Sequence, residues 1–93
     1  MKKTLLPLGT ILILKGSDQK LMIVSRVVQM QTKETFDYMC VLWPNGFIGE
    51  EHQYFINHED VRRVCHQGYS DSEDIEYLLE LAEFNFEDEP VVE

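Results

Sequence analysis

Basic residues are missing from the last third of this 93-residue sequence: no Lys or Arg follows Arg63. Over the same stretch stand ten acids, Asp71, Glu73, Asp74, Glu76, Glu80, Glu83, Glu87, Asp88, Glu89 and Glu93, a net of -10. Residues 1–63 hold eight bases and seven acids, which brings the whole chain to -9. Such an end repels phosphate backbones, so nucleic acid is not an expected partner. An anionic membrane surface is disfavoured for the same reason. The simplest use of the acids is a solvated, solubilising end.

Cysteine is equally scarce, with only Cys40 and Cys65. Small secreted domains usually carry more, so both are expected to be reduced, buried residues of a cytoplasmic protein. Cys40 and Cys65 lack the close Cys-x2-4-Cys spacing that zinc modules pair with their histidines, so His52, His58 and His66 are not expected to hold a metal. The run Asp71-Ser72-Glu73-Asp74 lacks the glycine and terminal glutamate of a calcium loop and reads as a helix start. There is no glycine-rich phosphate loop and no nucleophile elbow. Cys65 and His66 are neighbours, and neighbours on a strand point apart. The expectation is therefore a protein that is not an enzyme, with no catalytic residues, no cofactor and no metal.

Long apolar runs are absent too. Nothing approaches the roughly 20 residues that span a bilayer. Met1-Lys2-Lys3 and the leucines after it imitate a secretory leader, but Pro7 and Gly9 interrupt the run and Lys15 closes it without a small-residue cleavage site. It is read as a retained first strand, with no membrane insertion.

What is present suits one small domain. Apolar residues make up 44% of the chain and aromatics 11%, too rich for a disordered polymer. Strands are expected over 10–14, 20–30 and 35–43, with a bulge near Ser25-Arg26 where the alternation of the second slips. Pro44-Asn45-Gly46 marks a tight turn, followed by a return strand that starts at Phe47-Ile48, breaks at Gly49-Glu50-Glu51 and resumes over 53–56. Asn57, with Asp60 three residues on, reads as a cap. Residues 62–67 fit either a helical stripe or a strand after one helical turn, and the strand is preferred because Gly68 stops the element early. Ser70 and Glu73 form a capping box for a helix over about 71–84. The fold class is α+β, mainly β: a small, strongly bent antiparallel sheet or SH3-like barrel with a C-terminal α-helix. Residues 1–86 form the single globular domain, and 87–93 an acidic flexible tail in which Pro90 opposes helix.

The helix carries more apolar surface than a small sheet needs. Ile75, Leu78, Leu79 and Ala82 lie on one stripe, expected to cover the sheet. Tyr77, Leu81 and Phe84 lie on a second, extended by Phe86. These four, Tyr77, Leu81, Phe84 and Phe86, are the candidate partner-binding residues, facing another protein or a second copy of the chain. The alternative is that a groove, or the Leu5-Leu6 segment, covers both stripes.

The ordered set Leu6-Pro7-Leu8-Gly9-Thr10, Lys20-Leu21-Met22-Ile23, Phe36-Asp37-Tyr38, Trp43-Pro44-Asn45-Gly46, Tyr54-Phe55-Ile56-Asn57-His58-Glu59-Asp60 and Gly68-Tyr69 resembles the Firmicute domain-of-unknown-function family 4176. Members of that family are typically encoded beside LXG toxins and small helical targeting proteins of type VIIb secretion loci. The resemblance implies a non-catalytic accessory factor, a cytoplasmic adaptor or chaperone for toxin export. Its partner would be an LXG toxin or the toxin's helical targeting partners. An immunity protein that neutralises a cognate toxin is the alternative, and a small metal-binding protein or enzyme a remote third. The resemblance brings no catalytic residues. Its shared positions read as turns (Gly9, Pro44, Gly46), a cap (Asn57) and core (Tyr38, Phe55).

Overall fold

In the computed structural model, residues 4–83 are described. Strands β1 (Ile11–Leu14), β2 (Lys20–Gln29), β3 (Thr35–Leu42), β4 (Tyr54–Ile56) and β5 (Val61–His66) precede one helix, α1 (Ser72–Glu83). The strands form one antiparallel sheet in the order β4-β3-β2-β1-β5. The first four make a meander, and a 3-10 turn over His58–Asp60 carries the chain from one edge to the other. No ladder joins β4 to β5 among the described residues, so in its hydrogen bonding the sheet is open and bent.

Leu12, Leu21, Ile23, Tyr38, Cys40 and Ile56 form the core, with Leu5, Leu6, Leu14, Leu42, Tyr54 and Val61 packed around it. β1 is an interior strand, paired on both sides, and Ile11, Leu12 and Ile13 are all buried. The bend sits where the alternation of β2 slips. Its register against β3 shifts between Ile23 and Ser25, and Val27 then takes φ 56. A β-branched residue at positive φ is strained, and such a kink turns the side chains that follow it. One result is that Arg26, on a strand of aliphatics, is buried.

The Pro44-Asn45-Gly46 turn forms as expected. Gly46 takes φ 78, and its N–H donates to the Leu42 carbonyl at 2.8 Å. The return strand does not begin at Phe47-Ile48. These residues are extended outside any ladder and exposed, and a 3-10 turn at Glu50–His52 intervenes before the three-residue β4. Gly49, at φ 137, lies outside the range other residues adopt readily, so the chain turns there before it can pair. Of the two readings of 62–67, the chain takes the strand, paired with β1. The helix cap is Asp71, not Ser70: its Oδ1 accepts from the Asp74 N–H at 3.0 Å, while the Ser70 hydroxyl donates to Asp74 Oδ2 at 2.8 Å. The expected tail, 87–93, lies outside the described residues.

Candidate partner-binding surface

The most distinctive sequence segments meet inside the molecule. Tyr38 is fully buried on β3, and its hydroxyl accepts from the Leu6 N–H at 2.9 Å. The same hydroxyl lies 2.7 Å from His58 Nδ1. A hydroxyl that accepts from Leu6 keeps its own proton to donate to Nδ1 when the imidazole carries its proton on Nε2. Next to this pair the His58 N–H donates to Asp37 Oδ2 at 2.7 Å, and the Asp37 N–H donates to Asn57 Oδ1 at 3.1 Å. The Asn57 N–H donates to Asp60 Oδ2 at 2.9 Å, which caps the 3-10 turn. The Leu-Pro-Leu-Gly, Phe-Asp-Tyr and Tyr-Phe-Ile-Asn-His-Glu-Asp segments are thus tied together at one end of the sheet.

A second tie joins Thr10 to Gly68. The Gly68 N–H donates to Thr10 Oγ1 at 3.1 Å. A Cβ on Gly68 would lie 2.0 Å from the Leu8 carbonyl oxygen, so only glycine fits. These groups are occupied by one another, and their arrangement is that of joints.

The cysteines are far apart in environment. Cys40 is fully buried, and burial pushes its thiol up to about 12, so it is neither a nucleophile nor a ready ligand near neutral pH. Cys65 was expected to be buried, but it is exposed, because β5 is an edge strand and only one of its sides meets β1. Both are free thiols. Among the described residues, no three His, Cys, Asp or Glu side chains gather closely enough to hold a metal ion. No described helix is long and apolar enough to cross a membrane.

Helix α1 is oriented by a charged contact. Arg26 Nη2 donates to Asp74 Oδ1 at 2.6 Å, with the side chains 2% and 16% exposed. The guanidinium carbon also sits 5.5 Å from the centroid of the Tyr77 ring. Arg26, with the Ser70 hydroxyl, holds the Asp74 carboxyl below the usual carboxylate range. At about 100° per residue, turning Asp74 inward brings Leu78 and Leu81 onto the same side. Both are half-buried.

This rotates the helix away from the expected arrangement. Ile75 and Leu79 were expected to cover the sheet, yet they are 54% and 62% exposed. Leu81, expected on the free side, is half-buried. Tyr77 is divided between the two roles: it covers Arg26 and remains 47% exposed. Phe84 and Phe86 lie outside the described residues. The outward apolar row is therefore Ile75, Leu79 and Ala82, at i, i+4 and i+7, with Tyr77 on the other flank of the docked side. Apolar periodicity cannot see this, because the residue that fixes the rotation is an aspartate.

No curated protein and no solved structure matches the chain. Residues 5–77, which include every segment joined above, match the family described as a domain of unknown function (DUF4176), and the chain belongs to that family.

Proposed function

We propose that this protein is a non-catalytic accessory factor that binds another protein, and that the outward face of α1 is its interface. The observation that carries this reading is the row of Ile75 and Leu79, more than half exposed on a helix held through Asp74. The helix holds Glu73, Asp74, Glu76, Glu80 and Glu83 and no Lys or Arg. An exposed apolar row bordered by acids fits a partner helix with an apolar stripe bordered by bases. The biological role we propose is that of a cytoplasmic adaptor or chaperone that holds toxin cargo before type VII export.

The test is co-expression with an LXG toxin of the same organism. The wild type is expected to co-purify with it in a fixed ratio. The double variant Ile75→Lys, Leu79→Glu, at exposed positions that leave the sheet untouched, is expected to lose the complex while keeping its circular dichroism spectrum. Equal capture of both forms, or no complex with the wild type, ends the proposal. The acidic helix would also suit a basic toxic domain, as an immunity protein requires. Rescue of cells expressing only that toxic domain would replace the adaptor role with this one.

A further inference from the structure

The acidic helix is only one pole of the molecule. β5 lies at an edge of the sheet, bonded by β1 on one side, and its residues from Arg62 to His66 are all exposed. The opposite edge strand, β4, has three residues between two 3-10 turns and offers little to pair with. β5 has six. Its ladder with β1 carries two register shifts, and the strand between and beside them still presents backbone donors and acceptors to an incoming chain.

A groove of about 440 Å³ follows this strand. Val61, Arg62, Arg63 and Val64 line it in succession. The ladder with β1 skips Arg62 between Val61 and Arg63, a bulge that brings neighbouring β5 side chains to one groove. Its charge is opposite to that of the chain. Lys15, Arg62 and Arg63 give it three cations against one carboxylate, Glu59. Those are three of the eight Lys and Arg in a protein of net charge -9. Arg62 is only lightly engaged, with the Ser17 carbonyl at 2.9 Å and fully exposed Asp18 at 3.4 Å. An exposed pair at that separation is weak and yields to a better-placed carboxylate.

We propose that the edge of β5 is a strand-addition site for an extended, acidic segment of a partner protein. Main-chain hydrogen bonds to β5 would hold the segment, and Lys15, Arg62 and Arg63 would select carboxylate side chains. A second copy of β5 is a poor occupant, because self-pairing would crowd Arg62 and Arg63 against their own counterparts. A nucleic-acid backbone lacks the alternating N–H and C=O groups that an edge pairs with, and the acidic end of the chain repels it. This site is separate from the α1 face and does not depend on it. If both exist, the protein has two docking surfaces of opposite charge, as a bridging adaptor would need.

The test uses the full ¹⁵N-labelled chain and three short synthetic probes. One alternates Glu and Val, one alternates Lys and Val, and one is the Glu-Val peptide with alternate backbone nitrogens methylated. Main-chain pairing is largely indifferent to sequence, so an unspecialised acidic peptide is a fair probe. The Glu-Val peptide is expected to shift the Val61–His66 amides saturably, with a dissociation constant near or below about 1 mM. The Lys-Val and methylated peptides are expected not to. Arg63→Glu, at an exposed position, is expected to weaken binding by about fivefold with an unchanged melting curve. The double variant Ile75→Lys, Leu79→Glu is expected to bind as the wild type does. Any of three results overturns the proposal: no shift at β5, equal binding of the Lys-Val or methylated peptide, or concentration-dependent self-association that already protects the β5 amides.

Discussion

Replacing Asp74 with Asn tests what sets the face of α1 that looks outward. The Nε and Nη1 of the Arg26 guanidinium are buried without a partner among the described residues. Asp74 is the anion bonded to it there. Removing one member of a fully buried pair costs about 3–5 kcal/mol. Asp74 is 16% exposed, so the lower end applies, about 3 kcal/mol. The loss has a ceiling, because an undocked helix would let the guanidinium hydrate. Half-burial of Leu78 and Leu81 contributes about 2 kcal/mol to docking, and the Arg26–Tyr77 contact about 0.5–1 kcal/mol more. Cost and docking strength are comparable, so Asp74→Asn should bring α1 near a balance between docked and free while the sheet stays folded. Hydrogen exchange read by mass spectrometry should show α1 amides exchanging about a hundredfold faster, the equivalent of about 3 kcal/mol. Amides of β2 and β3 should be unchanged. Similar α1 exchange in variant and wild type would refute the assignment of the latch.

The same contact sets a pH dependence. The Asp74 carboxyl is lowered in the folded state, first by the hydrogen bond from Arg26 and then by that from Ser70. A depressed carboxyl contributes stability that is fully present above its unfolded value, about 3.9, and is lost as pH falls through the folded value. Protection of α1 should therefore be flat from neutral pH to about 5 and fall below about 4. In Asp74→Asn this acid limb should disappear.

Two further outcomes follow from the interior ties. Tyr38→Phe leaves the Leu6 N–H and His58 Nδ1 without their shared partner and should cost about 2 kcal/mol, lowering the melting temperature by roughly 10 °C in a circular dichroism melt. A shift under about 2 °C would mean the hydroxyl is not a joint. Alkylation of the native protein should add one label, at exposed Cys65, and reach Cys40 only on unfolding, because burial pushes that thiol up to about 12. Two labels on the native protein, read by mass spectrometry, would contradict the burial of Cys40.

The sheet was legible in the sequence where side chains alternate against a single core. Leu21, Ile23, Tyr38 and Cys40 are buried where periodicity puts them, and the slip at Ser25-Arg26 marks the bulge. The return strand was misread because Phe47 and Ile48 look like core, whereas the backbone at Gly49 turns before they can pair. The cap was misread because Ser70 and Asp71 are both good capping residues, and tertiary contact decided between them: Ser70 is taken up by Asp74. The face of α1 was misread for a related reason. A hydrophobic stripe predicts orientation only when apolar contact dominates, and here one buried arginine from a distant strand outweighs two aliphatic residues.

That arginine bears on where function resides. The segments that place the chain in its family are spent on internal joints: Leu6 and His58 on Tyr38, Asn57 on Asp37, and Gly68 on Thr10. Groups already bonded to one another have little left for a ligand, so these segments define a scaffold, and the proposed binding role falls to the surfaces it displays. Two such surfaces carry opposite charge, the acidic outward row of α1 and the cationic edge of β5. Charge does not decide the fold of a chain this size, but it does bias what approaches and in which orientation. On the proposed reading, a scaffold with two faces of unlike sign would distinguish an acidic from a basic partner by charge. Arg26 supports this arrangement physically, because by drawing Asp74 inward it turns Ile75 and Leu79 out.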